Sequence, residues 1–314
     1  MPSCAVRSFT DPDQFAASIR QGTCELTVIG RGNFASELTR IDLHRLWMQR
    51  FSETLPQVTH VADWGGRAAI SFRTECGPSL LRAGVEMLPA TIMRHGEGQS
   101  YYVNSGGSDY GCMSLPIDEM ACVGAAIAGC DLTPPKNARI ITPLPAAMAR
   151  LQHLHAAAAA LAKDAPAVIA NPEAARGLEQ ALIEALVDCL SNGEGQEDRV
   201  ALRQHTMIMR KFYGAIEGNP NEALYIAELC TAIGVTERTL RICCQEQIGM
   251  SPKRYLLLRR MHFARRALRE SDQTETTVTE IATQYGFWQF GRFAGEYKSL
   301  FGELPSTTLA RPTD

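Results

Sequence analysis

The last hundred or so residues set out the same apolar pattern twice, about fifty residues apart. The first copy reads Ile226-Ala-Glu-Leu229-Cys230-Thr-Ala-Ile233-Gly234, and the second Val278-Thr-Glu-Ile281-Ala282-Thr-Gln-Tyr285-Gly286. Each puts apolar residues at i, i+3, i+4 and i+7, which makes one buried face of a helix, and then a glycine that tolerates a turn with φ > 0. The match continues past the turn, pairing Leu240 with Phe293, Cys244 with Tyr297, Ile248-Gly249 with Phe301-Gly302, and Pro252 with Pro305. The offset grows by one residue at the turn, as a longer second turn requires. Helix, glycine turn and second helix make a helix-turn-helix, here in tandem, at about 225–247 and 277–301.

Between the copies, Ser251-Pro252 combines a helix N-cap with a proline at the first helical position. Leu257, Met261, Ala264 and Leu268 follow at i, i+4, i+7 and i+11, which predicts a linker helix to about Ser271. At about 20 residues it is about 30 Å long, enough to hold two reading heads one DNA turn apart, ~34 Å. Its other face carries Arg259, Arg265, Arg266 and Arg269. Upstream the pattern differs. Leu26–Ile29, Val58–Val61, Ala68–Phe72 and Tyr101–Val103 are β-type runs, punctuated by Gly/Asn/Asp/Ser clusters such as Asn104-Ser-Gly-Gly-Ser-Asp109. Such runs predict a sandwich or small barrel. Asp131-Leu-Thr-Pro-Pro-Lys-Asn137 is expected to end the β region, with helices at roughly 143–163, 173–192 and 198–217. The chain therefore reads as α+β. Residues 1–195 form an N-terminal domain, β-rich to about 135 and then helical, and residues 196–314 form an all-α domain.

Composition changes this picture little; charge changes it more. The chain has 314 residues and a net charge of −3. From Arg199 onward basic residues exceed acidic ones by about four, whereas the part before is net acidic by about seven. A basic module joined to an acidic one fits nucleic-acid contact by one domain only. The ten cysteines show no CxxC spacing, which leaves a zinc site or a dithiol redox pair without support. Without an apolar run for export or a membrane span, the expected location is cytoplasmic, with reduced thiols.

The tandem repeat, the Ser251-Pro252 helix start and the block Ile281-Ala-x-x-Tyr285-Gly-Phe287 … Phe293 … Tyr297-Lys-x-x-Phe301-Gly302-x-x-Pro305-Ser306 resemble the AraC/XylS family of bacterial transcription regulators over about residues 200–312. Gly286-Phe-Trp-Gln-Phe-Gly-Arg-Phe293 and Leu304-Pro-Ser-Thr-Thr-Leu309 look most like members related to the ethanolamine-operon regulator. The resemblance implies a cupin-like N-terminal β sandwich or barrel that senses an effector or dimerises. It also implies a C-terminal domain of two helix-turn-helix motifs joined by a linker helix.

In such a motif the early exposed positions of the second helix face base edges. With Leu240 and Cys244 inward, Arg238, Thr239 and Arg241 are expected to face bases. With Phe293 and Tyr297 inward, so are Gln289, Phe290 and Arg292. Arginine pairs bidentately with guanine, glutamine with adenine, and apolar groups meet the thymine methyl. The family usually has polar residues where this chain has Phe290 and Gly291, so sharper specificity is expected from the first copy. Phe287 and Trp288 read as turn packing. Arg259, Arg265, Arg266 and Lys298 are candidates for phosphate contact, a solvated face being the alternative for the linker arginines.

Other constellations carry less. His44, His60 and His95 are isolated in the β region, so no metal and no catalytic site is expected. His153 and His155 point apart on a helix and read as surface positions. Of Cys243-Cys244, Cys244 falls on an inward position. Trp47 and Trp64 are candidates for lining an effector pocket, with plain core packing the alternative. The expected partners are double-stranded DNA, an unidentified small-molecule effector, a second copy of the chain, and RNA polymerase if the chain activates. No cofactor, metal or membrane is expected. The alternatives are a cupin-like enzyme with a DNA-binding tail, or a constitutive DNA-binding dimer without ligand.

Overall fold

Side chains alternate along the N-terminal strands, and both faces of the larger sheet are buried, so one set of strands serves two cores. A computed structural model describes residues 1–20, 22–63, 65–82, 85–98, 101–195, 200–218 and 224–311. In chain order the first part contains β1 (Ser3–Phe9), α1 (Pro12–Ser18), β2 (Gly22–Val28), β3 (Ser36–Asp42), β4 (Trp47–Glu53), β5 (Gln57–Asp63), β6 (Arg67–Arg73), β7 (Leu80–Arg82), β8 (Val85–Glu86), β9 (Ile92–Arg94), β10 (Tyr101–Ser105) and β11 (Tyr110–Pro116). Then come α2 (Ile117–Val123), β12 (Arg139–Thr142), α3 (Pro145–Asp164), α4 (Pro166–Ala170), α5 (Pro172–Ser191) and β13 (Glu194–Gly195). The helical part contains α6 (Val200–Glu217), α7 (Ile226–Ile233), α8 (Glu237–Ile248), α9 (Pro252–Glu270), α10 (Val278–Gln284), α11 (Phe290–Phe301) and α12 (Pro305–Leu309). The expected boundary at 195/196 abuts residues outside the described ones.

The strands form two antiparallel sheets, ordered β1-β3-β4-β11-β6-β9-β12-β13 and β2-β5-β10-β7-β8. Between them lie Phe9, Phe15, Leu26, Val28, Leu38, Phe51, Val103 and Tyr110. On the far side of the larger sheet, Ile41, Met48, Ile70, Phe72, Met113 and Leu115 pack against Leu151, Ala158, Leu182 and Leu186 of α3 and α5. Met48 and Phe51 differ by three positions, so strand alternation sends them to opposite cores. The smaller sheet presents its outer face to the helical domain: Val58 of β5 is part of the core formed by Met209, Phe212, Leu229, Leu240, Cys244 and Tyr255. Four layers result: helices, sheet, sheet, helical domain.

Two expectations change here. Asp131–Asn137 does not end the sheet. Asp131 accepts hydrogen bonds from the Thr133 backbone N–H and hydroxyl at 2.8 and 3.1 Å, closing a turn. The Arg94 guanidinium donates to the carbonyls of Leu132 and Thr133, and β12 then pairs with β9. His155 is buried, not on the surface. Its ring meets Phe72 edge-on at 5.1 Å and covers Gly111, where a Cβ would come within 2.7 Å of the imidazole. Burial lowers its pKa to about 3.

In the helical domain the Ser251 cap and the glycine turns fall where expected, and further caps join them. Thr236 caps α8, Ser251 caps α9, and Thr277 with Glu280 forms a capping box on α10. Gly234 and Gly286 take the left-handed conformation at φ 77° and 74°, the turn of each motif. Helix α9 serves two cores. Tyr255 and Leu256 join the first motif, while Leu258, Met261, Ala264 and Leu268 pack with Ile281, Phe287, Phe293, Tyr297 and Leu300 of the second. Among the described residues no helix is long and apolar enough to cross a membrane.

Candidate nucleic-acid interface

The repeat match fixes what each second helix can show to solvent. Leu240, Cys243, Cys244 and Ile248 are buried in α8, so both members of the vicinal cysteine pair face inward. Burial pushes the Cys243 and Cys244 thiols up, Cys243 to about 11. Arg238, Arg241 and Gln245 remain exposed, joined by Ile242. Thr239 is half-buried. Its hydroxyl sits 2.9 Å from that of Thr236, and its backbone N–H donates to the same Thr236 oxygen at 3.1 Å, so it belongs in part to the helix cap.

In α11, Phe293, Tyr297 and Leu300 are buried, and Tyr297 donates to the Thr308 hydroxyl at 2.8 Å. Gln289 is the N-cap residue, but its side chain makes no capping bond. Arg292 is exposed and pairs with Glu296 one turn on, at 2.9 Å. Lys298 is exposed in the last turn. Phe287 packs as expected, its ring 4.7 Å from Phe293. Trp288 does not: it is 73% exposed, and Phe290 is 41% exposed. Trp288, read from the sequence as turn packing, is instead solvent-exposed beside the start of α11.

The linker arginines differ most from expectation. Arg259 is only 6% exposed; its Nε and Nη2 donate to the two carboxylate oxygens of Glu25 on β2 at 2.6 and 2.9 Å, and its guanidinium lies over the Phe263 ring. Arg265 is 3.5 Å from Asp11, and Arg269 pairs with the same carboxylate. Arg266 pairs with Asp13. Asp11 also caps α1, accepting from the backbone N–H groups of Asp13 and Gln14 at 2.9 and 3.0 Å. In this arrangement Arg259, Arg265 and Arg266 therefore meet carboxylates of the N-terminal domain rather than phosphate or water. His262, between them, lies 3.0 Å from the Val28 carbonyl through Nε2, and His60 of β5 stacks on Tyr213 of α6 at 5.9 Å. Burial lowers both imidazole pKa values to about 4, with Arg259 adding to the effect at His60.

The candidate effector residues do not come together. Trp47 sits at the start of β4 between two guanidiniums, Arg20 at 4.4 Å and Arg67 at 3.7 Å from its ring, outside the sandwich interior. Trp64 lies outside the described residues. The interior instead holds a polar cluster. Arg82, 2% exposed, is 3.4 Å from His95 Nε2 and 3.6 Å from Cys112 Sγ. His95 Nε2 is 2.9 Å from the Ser71 hydroxyl, and the Tyr110 hydroxyl donates to Glu53 at 2.9 Å. Burial raises the Glu53 carboxyl to about 7 and holds His95 below the usual imidazole range. Enclosing charged groups costs desolvation, and strongly shifted groups gathered in one place mark a candidate functional site. Among the described residues no group of three or more His, Cys, Asp or Glu side chains is arranged to hold a metal.

Residues 229–311 match the family described as "Helix-turn-helix domain". Over 102 residues the chain is 39% identical to the probable thc operon regulatory protein of Rhodococcus erythropolis, covering 32% of this chain and 31% of that protein. Over 96 residues it is 36% identical to the XylDLEGF operon transcriptional activator 3 of Pseudomonas putida, covering 31% and 29%. The chain thus spans less than a third of the length of these curated relatives. A crystal structure of the AraC-like transcriptional activator CuxR is similar over 83% of this chain and 95% of that one, at 12% identity and a TM-score of 0.45.

Proposed function

We propose that this chain, which carries a helix-turn-helix domain of the AraC/XylS family, is a sequence-specific, effector-responsive transcription regulator. The observation that carries the reading is the outward set on α8 and α11. Each helix buries its repeat-matched residues against α9 and leaves Arg238 and Arg241, or Gln289, Phe290 and Arg292, exposed at its early turns. With Thr239 these are the base-reading residues of the proposal. Lys298 is its phosphate contact, joined by Arg259, Arg265 and Arg266 only when the arrangement of domains changes. The relatives named as operon regulators and activators support transcription as the setting; the proposal places it in the cytoplasm, with RNA polymerase as the partner of an activator.

The N-terminal domain is the proposed sensor, with the cluster around Arg82 rather than Trp47 as its centre. Its route to the heads is direct. Asp11, Asp13 and Glu25 hold the arginine face of α9, so a shift of α1 or β2 alters those pairs. An effector acts by favouring one arrangement over another, by no more than its difference in affinity for the two. The test is selection of bound sequences from a random DNA pool with the full chain. Enrichment of one bipartite site with halves about one helical turn apart is expected; no enriched sequence overturns the reading.

A further inference from the structure

The two heads are not chemical copies. Through the match of Phe293 with Leu240, Gly291 stands where the first copy has Arg238, Ala294 where it has Arg241, and Gly295 where it has Ile242. Helix α11 therefore offers bare backbone where α8 offers side chains. Among the described residues, apart from the chain neighbours and the helix's own backbone, a Cβ built at Gly291 or Gly295 meets no atom within 4 Å. Glycine in a helix is unfavourable relative to alanine, and a recurrent reason to keep it is close approach by a partner. Beside this bare face stand Trp288 and Phe290, both exposed, at the end of the helix that enters the groove in this motif. Arg292 and Lys298 supply positive charge on the same helix.

On the major-groove edge of DNA the one apolar feature is the C5-methyl group of thymine. We propose that the second head reads thymine methyls, with Trp288 and Phe290 as the contacting edge and the bare face of Gly291 and Gly295 letting the helix sit close enough to reach them. The occupant is double-stranded DNA with thymines in the half-site under α11. This inference rests on the DNA-binding reading above.

The test uses the full chain and its selected site. Each thymine is replaced in turn by uracil, which removes the methyl and leaves every hydrogen-bonding group in place. Loss of one buried methyl is expected to weaken binding ~4-fold, with the sensitive positions clustered in one half of the site. Trp288→Ala and Phe290→Ala are expected to weaken binding to the thymine site while bringing the thymine-to-uracil ratio in that half close to one. Both side chains are exposed, and circular dichroism and thermal melting check that the variants fold like the wild type. Placing 5-methylcytosine at a sensitive thymine distinguishes methyl contact from a need for the thymine carbonyl, and partial retention of affinity is expected. Equal wild-type affinity for thymine and uracil sites overturns the inference, as does an unchanged ratio in both variants. So does a variant that keeps its affinity for DNA but loses self-association or transcription, which makes the aromatic edge a protein contact. An enriched site without methyl sensitivity sinks only this inference, whereas no enriched site sinks the DNA-binding reading itself.

Discussion

The first and second helix-turn-helix copies share the inward pairs Leu240/Phe293 and Cys244/Tyr297 and differ in most of what they show outward. Helix α8 carries Arg238 and Arg241, and its C-terminal end rests on β10 and β7, where Gly249 faces Asn104 at 2.9 Å from a built Cβ. Helix α11 carries Trp288, Phe290 and two glycines near or along it, and packs on α10 and α12. The lesson is that the repeat conserves what the core needs. Each head is otherwise free to differ in chemistry and in its tie to the N-terminal domain.

The largest expected effect breaks that tie. Glu25→Ala leaves Arg259 enclosed without its carboxylate. Losing one partner of a buried pair costs 3–5 kcal/mol; Glu25 is about a quarter exposed, so about 2 kcal/mol of stability is expected. Urea denaturation followed at the tryptophans measures it; a change under 0.5 kcal/mol would mean that water replaces the pair.

Acid should loosen the same contact. His262 has a folded pKa of about 4, below its ordinary 6.5. The unfolded chain therefore takes up the proton first; the stabilisation is complete above about pH 6.5 and is lost as pH falls toward 4. Glu53, raised to about 7, acts in the opposite sense over part of that range, so the wild-type profile alone is ambiguous. Comparison with His262→Gln, which keeps a donor for the Val28 carbonyl, isolates the histidine. From pH 7 to pH 5 the wild type should lose roughly 2 kcal/mol more than the variant. Parallel profiles would remove His262 from the account.

Next come the heads themselves. Arg238→Ala or Arg241→Ala is expected to cost about 1–3 kcal/mol on the selected site and less on random DNA, read by fluorescence anisotropy. Equal losses on both DNAs would reduce these residues to phosphate contacts. For Arg259→Ala the slope of log K against log salt is expected to stay unchanged while Glu25 holds the arginine. A slope smaller by about one would show that the pair opens on DNA. The smallest effect sharpens the contrast: Gly295→Ala should raise stability by about 0.5–1 kcal/mol without raising DNA affinity, because the gain in helix propensity comes where the groove needs room.

Much of the helical domain was legible in the sequence. Leu240 with Phe293 and Cys244 with Tyr297 marked inward positions, and Ser251, Gly234 and Gly286 marked ends, because caps and helical period are local properties of the chain. The family resemblance drawn from the same residues agrees with the match over residues 229–311. The sheet domain was less legible. Its strands are buried on two faces, so simple alternation is weak, and β3, β4 and β11 carried no period that set them apart. Trp47 looked like a pocket residue for want of its neighbours; Arg20 and Arg67 come from other strands and loops.

The sequence by itself determined the two heads, their caps, their turns and the helix between them, since each depends on residues within a few turns of one another. It also determined the charge imbalance between the halves of the chain. Only the tertiary structure decided where that charge goes. Arg259, Arg265, Arg266 and Arg269 lie more than two hundred residues from Glu25, Asp11 and Asp13, and helical spacing alone reads the same for a solvated face, a phosphate contact or an ion pair. The pairing required the smaller sheet to bury its outer face on α9, a long-range packing choice that brings the carboxylates to the arginines.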